Sequence, residues 1–467
     1  MPTTTATTSS SFAPLREQLQ AALLPRYPDH LTRMSWDREA ILAHQRARLR
    51  ELLAHAREHS PFHSRRLAGI DPDSVDPTDL SALPVMTKDD LMGSFEDVLT
   101  DRRITRGLVD ATLAATGTDP EPLFDEYLVF TSGGSTGRRG VFVYDRHGIT
   151  EWLARFSRGL VAHINAVGGP PPGGLPMAMV AAGSAVHLSG FLSSITDGGG
   201  LPFRFVPVPV TLPVPEIVAR LNALQLPMFG GYPSMVARLA GEQVAGRLQI
   251  APAMVICSAE TCSPDLRAAI RDGFGCPVLD SFNSTEGLQG AATPDGDVHA
   301  FAEDGCIVEL VDADRRPVPP GTPAAAALIT NLTNRVQPLI RYELTDAFGA
   351  QPPAAEHGYL RARIEGRCDD VFRYDGTLIH PLVLRSVLVK VPAIVEYQVR
   401  QTRTGVVVNA VTESAVDRDG VAGRLARALA AAGLVDPQVS VDVIPALPRD
   451  PRTGKLRRFV PLPTSAD

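Results

Sequence analysis

The sequence predicts an α/β chain: a large amino-terminal domain built on parallel α/β sheets, a β-rich subdomain within it, and a small carboxyl-terminal α+β domain. Three observations predict it. From about Tyr127, short apolar runs alternate with helical patterns, the signature of a largely parallel sheet covered by helices. After Gly290 the texture changes to shorter strands with few helical patterns. After Gly366 helix and strand mix again over a stretch long enough for one small domain. The predicted boundaries are residues 1–365, with 291–365 as the β-rich part, and residues 366–467. A length of 467 residues leaves room for these units.

The elements follow in order. The start, MPTTTATTSSSF, lacks the basic opening and apolar middle of a secretory signal, and residues 1–34 read as a partly disordered tail. Ile41, Leu42, Leu49, Leu52, Leu53 and Ala56 recur at helical spacing between Trp36 and His59, with Ser35 or Asp37 as the cap. Asp71–Thr78 is a loop. Candidate strands follow at 127–130, 141–144, 177–182, 204–209, 253–258 and 277–282, with helices at 149–163, 215–224, 233–245 and 263–273 between them. The β-rich part holds CIVELV, ALITNL and LIRYEL. The last unit has a helix near 381–391, strands at VEYQVR and GVVVNAV, a helix at 421–433 and a strand at VSVDVI.

Composition narrows the function classes. Hydrophobic residues make up 44% and charged residues 21%, as in an ordinary folded chain. A net charge of −7 gives no reason to expect nucleic acid or an anionic membrane as partner. No apolar run approaches the ~18 residues that span a bilayer. Five cysteines, with no CxxC pair, fit neither a disulfide framework nor a tight zinc site, so a reducing cytoplasm is the expected compartment. Only Lys88, Lys390 and Lys455 are lysine among 45 basic residues.

Five segments carry chemistry. TSGGSTGRRG, Thr131 to Gly140, follows a strand, and its glycines, hydroxyls and arginines suit a phosphate. It is no Walker A loop. Its formal G-x-S-x-G needs strand–turn–helix, and a strand follows instead. DSFNSTEG, Asp280 to Gly287, sets Thr285 and Glu286 past the end of another strand, where ligands sit in open α/β sheets; a capped helix start explains it about as well. Asp346 in LIRYELTDAF offers two carboxylate oxygens to a diol, or is a surface turn. EGRCDD lies on the second boundary, and RDPRTGKLRR, Arg449 to Arg458, is a cationic tail.

Together, in this order, the five segments resemble the adenylate-forming superfamily, which includes acyl-CoA synthetases and peptide-synthetase adenylation domains. HSPFHSRRL (59–67) and LPVMTKDDL (83–91) resemble the phenylacetate–CoA ligase-like branch, and the likeness runs from about residue 50 to the carboxyl end. The resemblance implies ATP, Mg²⁺ and, as second substrate, CoA. It makes Thr131, Ser132, Gly133, Gly134, Ser135, Thr136 and Gly137 the phosphate loop. Ser258, Ala259, Glu260, Ser281, Phe282 and Asn283 border the adenine. Thr285 meets the α-phosphate and Glu286 holds Mg²⁺. Asp346 binds the ribose, and Arg367 the ribose or phosphates. Asp369 is the hinge of a mobile small domain, and Lys455 the catalytic lysine. Gly183, His187, Gly231 and Tyr232 fall at the acid pocket. Phe282-Asn283 departs from the family's Tyr-Gly, and the Pro-Lys that usually follows the phosphate loop is absent.

The implied reaction is adenylation of a small, aromatic carboxylic acid. Transfer to a thiol follows, on CoA or a separate carrier protein. A rival outcome is adenylation of nitrite for diazotisation of an aromatic amine. The expected partners are small molecules, with neither nucleic acid nor membrane, and a homodimer is compatible with this reading.

Overall fold

The computed structural model describes residues 11–132, 140–210, 212, 214–367, 372–375, 377–379, 381–388, 391, 393–412, 414–449 and 456–462. Ten strands form one sheet. In spatial order they are Pro323–Ala324, Asp346–Gln351, Arg361–Arg367, Val298–Phe301, Gln289–Ala292, Val278–Asn283, Met254–Ser258, Met228–Gly231, Leu175–Ala181 and Phe203–Pro209. The five from Val278–Asn283 to Phe203–Pro209 run parallel. From Val278–Asn283 the other way, every pairing is antiparallel.

The parallel half matches expectation because its strands are buried apolar runs separated by capped helices. Ser263 caps Pro264–Phe274 by accepting from the Leu266 N–H, and Gly275 ends that helix at φ +67°. Asp37, one of the two candidate caps, accepts from the Ala40 N–H and opens Arg38–His59. Within this half, two elements escaped the sequence. The strand Met228–Gly231 is short and glycine-ended, and the helix Leu188–Thr196 carries serines that mask its apolar face.

One expectation changes. Residues 11–34 are not a disordered tail. They form helices Ala13–Leu23 and Tyr27–Arg33, and bury Phe12, Leu15, Leu19, Leu23 and Tyr27 in the main core. The hydroxyl-rich start hid a helical apolar stripe behind it. The β-rich part divides between two sheets. Most of its strands extend the large sheet, while Cys306–Val311, Ala326–Asn331 and Tyr342–Leu344 make a small sheet of their own.

Past residue 371, strands Gln438–Val443, Gly405–Thr412, Ile394–Gln401 and Phe459–Val460 make a four-stranded sheet with helices Pro381–Leu388 and Arg418–Ala431. Its core, including Phe372, Leu384, Val399, Leu425 and Phe459, draws on residues of this unit alone.

Candidate active site

The carboxyl ends of the parallel strands carry a rim of polar side chains, each held by the next. Thr131 ends the strand Leu128–Thr131, which pairs antiparallel with Val141–Tyr144. A strand therefore follows the Thr131–Gly140 segment, and the context of a nucleophile elbow is not met. The Thr131 N–H donates to the Val186 carbonyl at 2.7 Å. His187 Nδ1 lies 3.3 Å from both the hydroxyl and the carbonyl of Thr131, at the start of helix Leu188–Thr196.

One turn on, the Ser189 hydroxyl lies 3.3 Å from that of Tyr232, whose ring is buried. Tyr232 opens helix Pro233–Val244, and the Ser234 N–H there donates to Glu260 Oε2 at 3.2 Å. Gly231, just before, is required sterically. A Cβ there would sit 2.7 Å from the Val180 carbonyl of the neighbouring strand. Gly183 has no such need, since its Cβ would make ordinary contact with Pro209.

Glu260 is the rim's least satisfied member. Its Oε1 is buried and meets no hydrogen-bond donor among the described residues. Ala259 beside it takes a left-handed backbone at φ +68°. Ser258 and Ser281 are register partners on adjacent strands. Asn283 Nδ2 donates to Ser281 Oγ at 2.6 Å and reaches Ser258 Oγ at 3.4 Å. Alternation along the strand sends Phe282 to the opposite face, where its ring packs edge-on against Phe301 and Phe348. The Phe282 ring is therefore turned away from Ser281 and Asn283, which corrects the expectation that all three side chains border one ligand. Asp280 is structural: it is buried and pairs with Arg267 at 3.0 Å.

Thr285 and Glu286 lie on a tight turn whose backbone is clamped from three sides. The Tyr144 hydroxyl donates to the Thr285 carbonyl at 2.7 Å, and burial pushes that phenol up, so it stays a donor. Trp152 Nε1 reaches the Ser284 carbonyl at 3.4 Å. Asn331 Nδ2 donates to the Glu286 carbonyl at 2.9 Å. On the antiparallel side of the sheet, Asp346 and Arg367 are register partners at the same end of their strands.

No protein-family model matches the chain. Phenylacetate-coenzyme A ligase of Escherichia coli (strain K12) is 24% identical over 405 residues, 79% of this chain and 80% of its own. That of Thermus thermophilus is 25% identical over 384 residues, with the same coverage. A solved 2-hydroxyisobutyryl-CoA ligase, in the postadenylation state with R3-HIB-AMP, superposes with a TM-score of 0.66 at 21% identity over 91% of this chain and 89% of that one. The chain is similar to phenylacetate-coenzyme A ligases and has the fold of the solved 2-hydroxyisobutyryl-CoA ligase.

Within this adenylate-forming fold, the structure brings together Thr131, His187, Tyr232, Glu260, Ser258, Ser281, Asn283, Thr285 and Glu286. Ser132 closes the hairpin through its N–H to the Gly140 carbonyl at 3.1 Å. Gly133, Gly134, Ser135, Thr136, Gly137, Asp369 and Lys455 lie outside the described residues, as does the Arg367 side chain. Tyr144, Trp152 and Asn331 were missed by sequence reasoning.

The Asn331 contact fixes the Glu286 backbone through its carbonyl. No group of three or more His, Cys, Asp or Glu side chains able to hold a metal occurs among the described residues. No described helix is long and apolar enough to cross a membrane.

Proposed function

We propose that this enzyme activates a small aromatic carboxylic acid as its acyl adenylate and passes the acyl group to the thiol of CoA. The observation that carries the reading is the clamped Thr285–Glu286 turn beside Ser258, Ser281 and Asn283, in a chain whose relatives are named phenylacetate-CoA ligases. The aromatic acid and the CoA acceptor rest on those names. No named relative supports the nitrite alternative, which enters as one arm of the test.

In the first step a carboxylate oxygen attacks the α-phosphorus of ATP. A P–O bond forms, and the bond to pyrophosphate breaks. Charge gathers on phosphoryl oxygens, so catalysis is chiefly positioning and cation placement. Thr285 offers a hydroxyl donor, Glu286 holds Mg²⁺, which neutralises phosphate charge when bound, and Lys455 brings a cation on a flexible stem. Asp346 accepts the ribose hydroxyls, and Gly183, His187, Gly231 and Tyr232 border the acid. In the second step the thiol sulfur attacks the acyl carbonyl, AMP departs with the bonding pair, and the thiol proton is lost to solvent. Between the steps the carboxyl-terminal unit turns about Asp369.

The test is pyrophosphate release across aromatic acids, aliphatic acids and nitrite, with and without CoA. Pyrophosphate should appear with an aromatic acid, and a thioester only when CoA is added. Orthophosphate as the primary product would overturn adenylation, and nitrite as the preferred oxyanion would overturn the acid. Lys455→Ala should slow adenylation by roughly 10²–10³-fold, the usual loss of one transition-state donor. Thiolysis of supplied acyl adenylate should survive. Equal loss in both half-reactions would remove the lysine from its role.

A further inference from the structure

A cavity of about 90 Å³ opens beside the adenylation rim, behind the turn that holds Glu286. Four arginines line it, Arg26, Arg33, Arg48 and Arg335, against two carboxylates, Glu151 and Asp304. Arg26 and Arg33 come from residues 24–33, His44 and Arg48 from helix Arg38–His59, and His147 and Glu151 from helix Arg146–Ala166.

The charge does not balance. Glu151 is engaged by Arg26 and lies 3.7 Å from Arg155. Asp304 accepts from Arg158 at 2.8 and 3.1 Å, with Arg33 at 3.8 Å. Glu51 at the mouth takes Arg48 at 3.1 Å and Arg335 at 2.6 Å, and Asp29 pairs with Arg33. Asp145 interacts with Arg335 and His147, so six guanidinium groups face five carboxylates. His44 and His147 also line the cavity, and burial pushes both imidazoles down, so neither adds charge at neutral pH. Arg26 Nε and Arg33 Nε are buried and meet no acceptor among the described residues. A buried donor without a partner is costly.

We propose that this cavity is an oxyanion site, taking a phosphate group distinct from those of ATP. Guanidinium forks match phosphate oxygens two at a time, and an anion offsets the remaining excess of cations. Its source is either a free phosphate or diphosphate, such as the pyrophosphate the reaction releases, or the phosphate of a nucleotide such as CoA. The position gives the site a consequence. Thr333 lines the cavity and receives a hydrogen bond from Arg155 at 3.2 Å. Its own N–H and hydroxyl both donate to Asn331 Oδ1 at 3.0 Å, and the same Asn331 holds the Glu286 carbonyl. An anion drawing on these arginines therefore acts one residue away from the metal-directed turn.

The test is calorimetric titration of the full chain with orthophosphate, pyrophosphate and 3′,5′-ADP, for the parent and for Arg48→Gln/Arg335→Gln. Both positions sit at the open mouth, about 40% exposed, outside the adenylation rim. At least one probe should bind the parent at one equivalent and bind the double variant at least tenfold more weakly, while adenylation in phosphate-free buffer is unchanged. Preference for pyrophosphate identifies a free diphosphate, and preference for 3′,5′-ADP a nucleotide phosphate. Absence of binding, or binding that the double variant leaves intact, overturns the site. Because adenylation is measured separately, failure here is distinguishable from failure of the proposed reaction.

Discussion

Gly287 shows how much can hang on one missing side chain. Its φ of +114° lies where L-residues are strained, and a Cβ there would fall 2.2 Å from Asn331 Nδ2. Gly287→Ala should therefore break the Asn331 clamp on the Glu286 carbonyl. Displacing a reacting group by about 1 Å costs on the order of 10²-fold in rate, so pyrophosphate release should fall by about that factor. The cost in stability should stay near 1–3 kcal/mol. A variant that released pyrophosphate at the parental rate would show that the turn does not position Glu286. At this scale the sequence was legible in part. Thr285, Glu286, Ser258 and Asn283 stand in short motifs, because a ligand demands particular groups at particular spacings. Tyr144, Trp152 and Asn331 donate to backbone carbonyls, a task that any buried donor can perform, so no motif marks them. Phe282 stands in the same segment as Ser281 and Asn283, but strand alternation turns its ring onto Phe301 and Phe348.

The helix Pro61–Arg66 carries a titration that the whole chain should feel. His63 is fully buried, its Nε2 lies 2.9 Å from the Pro338 carbonyl, and burial pushes its imidazole down to about 3. An unfolded histidine titrates near ~6.5. Between those values the unfolded chain binds the extra proton, so stability falls as pH drops through ~6.5 and is untouched above it. The slope approaches about 1.4 kcal/mol per pH unit, or about 2 kcal/mol by pH 5. His30, His44 and His147 shift in the same direction and add to the trend. Urea unfolding at pH 7 and pH 5 should show His63→Gln losing less stability on acidification than the parent. Equal losses would place the proton uptake elsewhere. The elements also explain what periodicity could not reveal. Glu151, Arg155 and Arg158 follow one another along one face of Arg146–Ala166, a charged stripe that normally belongs to solvent. Here it is buried, because the helices of residues 13–33 cover it. The hidden helices and the buried charges are one omission: without the cover, the stripe reads as surface.

Across the molecule, one buried acid joins the carboxyl-terminal unit to the rest. Glu396 on Ile394–Gln401 takes Arg238 of Pro233–Val244 at 3.0 Å and also Arg449, which leads into the segment carrying Lys455. Arg238→Ala leaves Glu396 neutralised by Arg449, so folding should survive while the tie between the units is lost. The carboxyl-terminal core is built from its own residues. Scanning calorimetry should therefore show its unfolding separating from the main transition, at lower temperature, in Arg238→Ala. A single transition matching the parent would mean the pair does not couple the two. The alternation of strand and helix revealed the parallel half, and the shorter strands after it were also legible. That the two halves share one sheet was not, since long-range pairing leaves no local trace. The outermost strands of that sheet bear on a different property. One edge ends in Phe203–Pro209, where Pro207 and Pro209 have no N–H to offer, and the other in the two-residue strand Pro323–Ala324. A foreign strand needs a run of open donors and acceptors to add on, and neither edge presents one. So wide a sheet would otherwise be a template for self-association, and its borders make it resistant to aggregation.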